Sequence, residues 1–524
     1  MFFRMKKVKS VTAGLLAVLV FALPLTGCKS ADFSNLFSSG QASSELSSIA
    51  KGVSSVISAV QPSSSQIAKA ESAVSAAASS VVSSTKAAVA KASSAAAKSE
   101  QKVQTKKKAA AKVETGNQNI KKIANEPAQN SATRAVTQSR AAASSGYPYV
   151  QQRSGYNALA DVPSQNLYKL ILASAYQISD KPNAQGYYPT AKIELGKVQL
   201  SEAQIRIALM AALNDNPQVF WLANAYSYGY GGGATSVQLY SAVSPSQCNI
   251  MIQQLNQKVS VVIAALPSGL SELDRELYLS DCLMKQCTYN TAAAADSSLW
   301  KAFNAYGALV EGSVVCEGYA RSMQLLSSYA GLQCMLLTGQ SDGVNHMWNV
   351  IRIDGNWYHL DNTWDDNDPT IYNYFNVTDE VIRQTHSIFP LVSSLTDAQI
   401  DGSGSGSPAG CNLVIPSCSA TAANYFAAKA IRVTAPDKTD NAAAVSTLVA
   451  AANKKSASVS FYVPDGSDYN TVTSAMLSQS PYLLVDYIKE ANSSGDIKNR
   501  ISLTNIRYIQ DPANRGLTIF LTYA

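Results

Sequence analysis

Aromatic residues are missing from a long N-terminal stretch: no Phe, Trp or Tyr lies between Phe37 and Tyr147. Within residues 51–100, 29 of the 50 positions are Ser or Ala. Such a stretch has too little apolar surface to offset the entropy lost on ordering, which excludes a packed domain there. The packed cores must therefore form from Tyr147 onward, where the chain is long enough for one large domain and one small one.

Histidine and long apolar runs are also scarce. The chain has three His and no close Cys/His cluster, so no zinc site is expected, and no motif indicates a cofactor. Downstream of residue 28, no stretch reaches the roughly 18 apolar residues of a membrane span. The acidic run from Asp365 to Asp368 lacks the glycine and terminal Glu of a calcium loop, which favours a solvated turn.

The positive charge is confined to the N-terminal part of the chain. Residues 1–28 carry four basic groups and residues 29–146 have a net charge of +9, so the remainder is net −7 within a total of +6. A nucleic-acid-binding fold would carry its basic patch on the folded part, and this class is therefore excluded. A basic arm suits an anionic polymer or a membrane surface.

The first 28 residues have the pattern of an export signal. Arg4 to Lys9 are mostly basic, and Val11 to Leu23 form an apolar run of about 13 residues, too short for a membrane span. Leu25-Thr26-Gly27-Cys28 resembles a bacterial lipoprotein cleavage box. The resemblance implies that residues 1–27 are removed and that Cys28 carries a lipid at the extracytoplasmic face of the cell membrane. Ordinary secretion with an incidental Cys28 is the alternative.

Residues 28–146 form a Ser/Ala/Lys-rich low-complexity tether that we expect to be partly helical. A heptad trace runs through Val53, Val60, Ile67, Val74 and Val81. Pro62 interrupts the trace, so we expect an Ala-rich helix from about residue 64 to about residue 112. The tether would hold the folded part away from the membrane, and inert low complexity is the alternative.

A cysteine begins a predicted helix in the middle of the chain. Upstream, helices are predicted at Leu200–Leu213, Asn249–Ala265 and Ser271–Cys287. From Cys316 onward, apolar residues at helical spacing continue to a stop at Gly331. Unpaired N–H groups and the helix dipole favour a thiolate in a first turn, and the same N–H groups can donate to an oxyanion.

Two strands joined by the turn Asp354-Gly355 follow this helix. If Ile353 faces Asn356, His346 and Asp361 lie on one face as diagonal neighbours, roughly 7–8 Å apart at the backbone. A carboxylate can reach an imidazole across that distance. The layout is therefore that of a nucleophilic Cys–His–Asp triad.

Three motifs carry a family resemblance. They are Val315-Cys316-Glu317-Gly318-Tyr319-Ala320, Asn345-His346-Met347-Trp348-Asn349 and Trp357-Tyr358-His359-Leu360-Asp361-Asn362-Thr363-Trp364-Asp365-Asp366. In this order they resemble the bacterial transglutaminase-like superfamily. The resemblance implies an α+β domain over residues 147–400. This domain would have helices in its N-terminal part and a core of the papain-like cysteine protease type. The resemblance also implies that Cys316, His346 and Asp361 are catalytic. Met347 stands where many relatives carry Ala.

The side chain of an oxyanion hole is not readable from the sequence. Trp300, Asn304 and Tyr306 precede Cys316 at suitable distances. Tyr306 is our candidate, and a packing aromatic is the alternative. The run Tyr228–Gly233 lacks the ending of a phosphate-binding loop, so we interpret it as a flexible loop.

Of the remaining histidines, His359 is interpreted as structural, and the six remaining cysteines are candidates for disulfides. His359 faces Val350 across the hairpin, and His386 lies in a loop-like stretch without an evident partner. An exported protein can form disulfides, and Cys411–Cys418 is the most local pair, within a Gly/Ser linker at residues 401–420.

Residues 421–524 are predicted to form a small α+β domain without a chemical motif. The sequence thus indicates a surface-anchored, monomeric thiol enzyme that forms an acyl-enzyme on peptide, protein or cell-wall peptide amides. Hydrolysis, as in a peptidase or amidase, is favoured because water is the commoner acceptor. A cross-linking transglutaminase is the alternative, and a non-catalytic surface adhesion or scaffold lipoprotein is the alternative of another class.

Overall fold

The computed structural model describes residues 146–231, 233–504 and 506–524. The predicted signal, Cys28 and nearly all of the tether lie outside these residues. Apart from Thr291–Ser298, the described residues belong to one compact unit, and the separate segment contains a short helix. No helix in the described ranges is both long and apolar enough to cross a membrane.

The described chain mixes helices and strands throughout, as expected for an α+β protein. The helices are α1 Ser154–Ala158, α2 Val162–Ala175, α3 Glu202–Asp215, α4 Pro245–Ala264, α5 Glu272–Gln286, α6 Thr291–Ala295, α7 Cys316–Tyr329, α8 Asn362–Asp365, α9 Asp379–Ile382, α10 Asp397–Asp401, α11 Tyr425–Lys429, α12 Asn441–Asn453, α13 Tyr469–Leu477 and α14 Leu483–Ser493. Shorter turns of helix lie at Trp300–Phe303, Gly307–Glu311 and Val392–Ser394.

The strands form four sheets. They are β1 Tyr188–Pro189, β2 Ile193–Glu194, β3 Leu222–Gly231, β4 Ala234–Ser241, β5 Thr288–Tyr289, β6 Ser313–Val314, β7 Gln333–Ser341, β8 Val344–Ile353, β9 Asn356–Leu360, β10 Phe375–Val377, β11 His386–Ile388, β12 Ile431–Arg432, β13 Ser458–Tyr462, β14 Arg507–Asp511 and β15 Gly516–Phe520. The sheet orders are β1-β4-β2 with β3 also on β4, β10-β9-β8-β7-β11, β12-β13-β15-β14, and β5-β6.

The three helices predicted upstream of Cys316 are confirmed as α3, α4 and α5, with ends that differ by a few residues. Each begins after a serine whose hydroxyl accepts a hydrogen bond from a backbone N–H in the first turn: Ser201, Ser244 and Ser271. Such caps satisfy donors that the helix itself leaves unpaired, which fixes where each helix begins.

The sequence predicts a flexible loop for the glycine-rich run Tyr228–Gly233, and this prediction is wrong for its residues up to Gly231. Its residues up to Gly231 belong to β3, which pairs antiparallel with β4, and Tyr228 faces Val237. The rings of Tyr226, Tyr228 and Tyr230 follow one another along the strand. Alternating tyrosines have the period of a strand, and this signal outweighs the glycines between them.

The five-stranded antiparallel sheet positions the candidate site. Helix α7 packs on β7 and β8, and its buried face joins Tyr319, Met323 and Leu326 to the main hydrophobic core. The β8–β9 hairpin has the predicted register, with Ile353 opposite Asn356 and Val350 opposite His359. The turn residues Asp354 and Gly355 both have positive φ, as this two-residue turn requires.

The segment predicted as a linker at residues 401–420 is bound to this sheet. The side chain of Asn412 accepts from the backbone N–H of Thr338 at 2.8 Å and donates to the carbonyl oxygens of Thr338 and Phe389. Cys411 and Cys418, the predicted disulfide pair, are both free thiols. The disulfide is therefore not formed in the structure, and the backbone N–H of Cys418 donates to Asp379.

The C-terminal residues have a hydrophobic core of their own, in which α12, α13 and α14 pack on the sheet β12-β13-β15-β14. Strand β14 runs from Arg507 to Asp511 and pairs antiparallel with β15. Asp511 accepts from the backbone N–H of Asn514, which closes the turn into β15. The amide of Asn514 also donates to the carbonyl oxygen of Asn373, a contact between this part and the region of the candidate site.

Candidate active site

Cys316 is the first residue of α7 and is partly exposed. The preceding residue, Val315, provides no side-chain cap, so the N–H groups of the first turn have no side-chain acceptor. Gly318 lets this helix end pack closely, since a Cβ atom there would lie 2.5 Å from Cβ of Val314. The positive end of the helix dipole favours a thiolate at Cys316, and N–H groups at such a helix start can stabilise an oxyanion.

His346 lies on β8 and interacts with both of the other predicted triad residues. Its Nε2 is 2.6 Å from Oδ2 of Asp361, and its side chain also interacts with that of Cys316. Because Asp361 occupies Nε2, Nδ1 is the nitrogen left for the thiol. The indole of Trp348 stacks on the imidazole, with ring centroids 5.9 Å apart and an angle of 18° between the planes. The hairpin and α7 thus bring together all three residues that the sequence singled out.

Asp361 is held by its own backbone as well as by histidine. It precedes the short helix α8, and its Oδ1 accepts from the N–H groups of Thr363 at 3.0 Å and Trp364 at 3.3 Å. The side chain is 1% exposed. A buried carboxylate needs such donors to remain ionised, because burial alone favours the neutral acid.

The electrostatics of the pair favour imidazolium and carboxylate. Burial acts to lower the pKa of His346, but the charge and hydrogen bond of Asp361 outweigh it, and with a further contribution from Cys316 they raise the pKa to about 10. Burial acts to raise the pKa of Asp361, yet His346 and then His386 hold it well below its usual range. A cationic imidazole beside Cys316 stabilises a thiolate, the form that attacks a carbonyl carbon.

His386 is the residue that the sequence analysis missed. The expectation of a loop residue without a partner is wrong, because His386 begins β11, which pairs with β7 opposite Ser341. Its Nε2 lies 3.1 Å from Oδ2 of Asp361, and its Nδ1 lies 2.8 Å from Oγ1 of Thr385. Two imidazoles therefore converge on one carboxylate oxygen. A strand of three residues that pairs with a distant strand leaves no periodicity to read.

His359 lies on the neighbouring strand and forms a separate group. Nε1–H of Trp348 donates to Nδ1 of His359 at 3.1 Å. Indole nitrogen is only a donor, so the proton of the neutral imidazole must be on Nε2, which donates to Oδ1 of Asp379 at 3.0 Å. Burial lowers the pKa of His359 despite Asp379. The structural role predicted for His359 agrees with these contacts.

Among the residues that the structure describes, two clusters have donor atoms close enough together for a metal ion: His346 with Asp361 and His386, and His359 with Asp379 and Cys418. In the second cluster, a metal on Nε2 would force the proton of His359 onto Nδ1, against the indole N–H. In the first, the 2.6 Å and 3.1 Å separations are those of hydrogen bonds, and a metal there would compete with the hydrogen bonds of Asp361. The geometry of both clusters is that of hydrogen-bonded groups.

Tyr306 is not placed as an oxyanion donor. Its hydroxyl donates to Oε1 of Gln254 at 2.7 Å, and its ring stacks on Phe220 with centroids 5.2 Å apart. These contacts match the packing alternative. The backbone N–H groups at the start of α7 can donate to an oxyanion beside Cys316.

The sequence predicts a solvated turn for the acidic run from Asp365 to Asp368, but its first residue is buried. Asp365 is fully buried, its Oδ1 accepts from the backbone N–H of Tyr374, and burial raises its pKa well above the usual value. Asp366 accepts from the hydroxyl of Tyr319 on α7. This run therefore ties the helix of Cys316 to the segment that follows Asp361.

Comparisons with known proteins identify the region around these residues. A family model described as "Transglutaminase-like superfamily" matches residues 265–362, which include Cys316, His346 and Asp361. The mouse (Mus musculus) protein named kyphoscoliosis peptidase is 25% identical over 141 residues, which are 24% of this chain and 21% of that protein. The human (Homo sapiens) protein of the same name is 31% identical over 111 residues, 19% of this chain and 17% of that protein.

The chain thus spans only about a fifth of the length of these curated relatives. A solved structure described as "Crystal structure of a TGase" is 17% identical and covers 33% of this chain and 50% of its own, with a TM-score of 0.21. The last likeness is too low to carry an argument. The family model covers Cys316, His346 and Asp361, the three residues that the motifs single out.

Proposed function

Because the chain contains a domain of the transglutaminase-like superfamily, we propose that it is a thiol enzyme whose nucleophile is Cys316. The observation that carries the proposal is the 2.6 Å hydrogen bond between Asp361 and a histidine that also interacts with Cys316. Asp361 orients the imidazole and stabilises its cationic form. This is the division of roles in nucleophilic triads.

In the first step the sulfur of Cys316 attacks the carbonyl carbon of an amide. The first-turn N–H groups of α7 stabilise the oxyanion, His346 gives its proton to the leaving amine, and the C–N bond breaks to leave a thioester. In the second step His346 takes a proton from water, the hydroxide oxygen bonds to the acyl carbon, and the C–S bond breaks. The products are an amine and a carboxylic acid, and the thiolate–imidazolium pair is restored.

Peptide amides are the substrate class that we propose. The relatives are named as peptidases, and the resemblance is to enzymes that act on protein amides. The test is to incubate the full chain with peptide and cell-wall peptide amides, with and without a primary amine, and to measure acid, ammonia and amine adducts. New carboxylate in water alone, lost in Cys316→Ala and kept in the matched variant Cys418→Ala, supports hydrolysis.

Two other results would change the proposal. Stable incorporation of the amine with little hydrolysis would identify a cross-linking transglutaminase. If neither product forms and Cys316→Ala binds surface polymers as the native chain does, the chain is a non-catalytic adhesion or scaffold lipoprotein.

We also propose that the enzyme is lipid-anchored through Cys28 at the extracytoplasmic face of a bacterial membrane. Support comes from the sequence alone: a basic start, a short apolar run and Leu25-Thr26-Gly27-Cys28. Mass spectrometry of the native protein should find Cys28 as a lipid-modified N-terminus. An unmodified N-terminus at another residue, with the protein free in the medium, would contradict the anchor.

A further inference from the structure

We propose that His386 is a positioning residue for the Cys316–His346–Asp361 set, and that it donates the hydrogen bond that fixes Oδ2 of Asp361 toward His346. The inference rests on the proposed function of Cys316. His386 lies outside residues 265–362, the part matched by the family model, and is contributed by β11 at the edge of the sheet.

The first step concerns the acceptors of Asp361. Its Oδ1 accepts from two backbone N–H groups, and its Oδ2 lies 2.6 Å from His346 and 3.1 Å from His386. A carboxylate has about four lone-pair positions, and here all four have a partner. Loss of His386 would leave one position of a fully buried charge without a donor, and nothing else would hold Oδ2 from that side.

The second step concerns the protonation of His386. An ionised carboxylate only accepts hydrogen bonds, so Nε2 of His386 must carry a proton. Oγ1 of Thr385 lies 2.8 Å from Nδ1 and 3.5 Å from the carbonyl oxygen of Ile382, so its hydroxyl proton is better placed for Nδ1. His386 thus gives Asp361 a hydrogen bond through Nε2, while Thr385 holds the other ring nitrogen.

The third step separates the roles of the two imidazoles. The side chain of His386 has no exposed surface, whereas that of His346 is 8% exposed and faces Cys316. The rings of Trp348, Trp364 and Tyr374 surround His386, with centroids 5.1–5.6 Å away. His386 is therefore locked in place and shielded from substrate, as a positioning group must be.

The titratable groups that face His386 are Asp361 after β9, His346 on β8, His359 on β9 and Tyr374 before β10.

Removing His386 could change the interaction between Asp361 and His346 in either of two opposite directions. If it only shares the charge of Asp361, its loss would strengthen the hold on the imidazolium of His346. If it positions Oδ2, its loss weakens that hold, and less of Cys316 is thiolate at acidic pH.

The experiment measures the rate of alkylation of Cys316 by iodoacetamide from pH 4 to 9 in the full chain. His386→Met removes the donor at similar volume, and His386→Gln keeps an amide N–H near the position of Nε2. We expect His386→Met to lower the rate at mildly acidic pH by about 10- to 100-fold and to move the acid limb to higher pH, since small misplacements have effects of that size. We expect His386→Gln to stay within about threefold of the native chain.

Ile388→Ala is the matched control, because it weakens the packing of the same strand without removing a group from Asp361. Its melting temperature should fall while the acid limb stays in place. If His386→Met does not fold, His386→Asn replaces it, since its amide is too short to reach Oδ2.

The outcomes separate the inference from the proposed function. If Cys316 in the native chain reacts no faster than the other thiols, the proposed function fails and the inference with it. If native Cys316 is fast but the acid limb of His386→Met is unchanged or lower, or His386→Gln behaves like His386→Met, the inference is overturned and the thiol enzyme stands.

Discussion

Two groups of residues around the same sheet each contain a thiol, an imidazole and a carboxylate. We call Cys316, His346 and Asp361 the first set, and Cys418, His359 and Asp379 the second set. In the second set one ligand atom of each residue lies within 4.8 Å of the others, so the residue types and their proximity match those of a triad. The two sets nevertheless differ in the hydrogen bonds of the imidazole and in the burial of the thiol.

The difference comes from what occupies the second nitrogen of each imidazole. In the first set His346 bonds the carboxylate through Nε2 and interacts with the thiol. In the second set Trp348 donates to Nδ1 of His359, which leaves no lone pair on the ring to take a proton from a thiol. Burial and then Asp379 raise the pKa of the Cys418 thiol to about 12. The same three residue types therefore do not suffice for a triad. The directions of the hydrogen bonds and the access of the thiol to solvent also decide whether the set can act as one.

The largest expected effect is the loss of a thiol. Cys316→Ala should reduce peptide hydrolysis by several orders of magnitude, as removal of a nucleophile does in other triads. Cys418→Ala should leave the rate within about twofold and lower the free energy of unfolding by about 1 kcal/mol, the common size for a buried substitution. The test is to measure the rate of hydrolysis and urea unfolding for both variants. If Cys418→Ala is the inactive variant, the assignment of the catalytic thiol to the first set is wrong.

The carboxylates should come next. Asp361→Asn should keep the fold but lower the rate by roughly 10⁴-fold, because an amide cannot stabilise the imidazolium and favours the wrong tautomer. Asp379→Asn should change the rate by less than about threefold, since His359 and the N–H of Cys418 depend on it but Cys316 does not. Steady-state kinetics of the two variants test this prediction. Equal losses of rate would contradict the idea that Asp361 supports catalysis and Asp379 does not.

The pH dependence of stability should differ in sign between the two histidines. The pKa of His346 is raised from 6.5 to about 10, so its contribution is full below pH 6.5 and is lost as the pH rises toward 10. The pKa of His359 is lowered, so its contribution is full above pH 6.5 and is lost as the pH falls through the folded-state value. Urea unfolding from pH 5 to 10 should show that His346→Gln flattens the alkaline side and His359→Gln the acid side.

Trp348 joins the two sets, and changing it should have a far smaller effect on the rate than changing Cys316 or Asp361. Trp348→Phe keeps a ring beside His346 but removes the N–H that bonds His359. We expect the free energy of unfolding to fall by about 1–2 kcal/mol, the effect of an unsatisfied buried acceptor, and the rate to fall by less than about fivefold. Thermal and urea unfolding with parallel kinetics test this, and a rate loss as large as that of Asp361→Asn would show that the sets are coupled.

The first set could be found from the sequence because its geometry is local. The turn Asp354-Gly355 sets the register of β8 and β9, and the register decides which side chains share a face. The start of α7 could be read from apolar spacing and a terminal glycine. The catalytic interpretation needed these two elements and little else.

The missed features depend on contacts between distant parts of the chain. His386 reaches Asp361 only because β11 pairs with β7, and Tyr306 is engaged by Gln254 on α4. Asp365 lies in a run that composition alone assigns to solvent, but Tyr374 folds back over it. None of these contacts has a periodic or spacing signal in the sequence.

The place of β11 has a consequence for the order in which the enzyme matures. Cys316, His346 and Asp361 are translated before His386, and the strand that carries His386 can join the edge of the sheet only after β7 to β9 have formed. A nascent chain that has not yet reached Ile388 holds the three reacting groups without the imidazole that completes the hydrogen bonds of Asp361. If Cys316 is the nucleophile that we propose, the carboxylate of its triad therefore lacks one hydrogen-bond donor until this last strand of the sheet is in place.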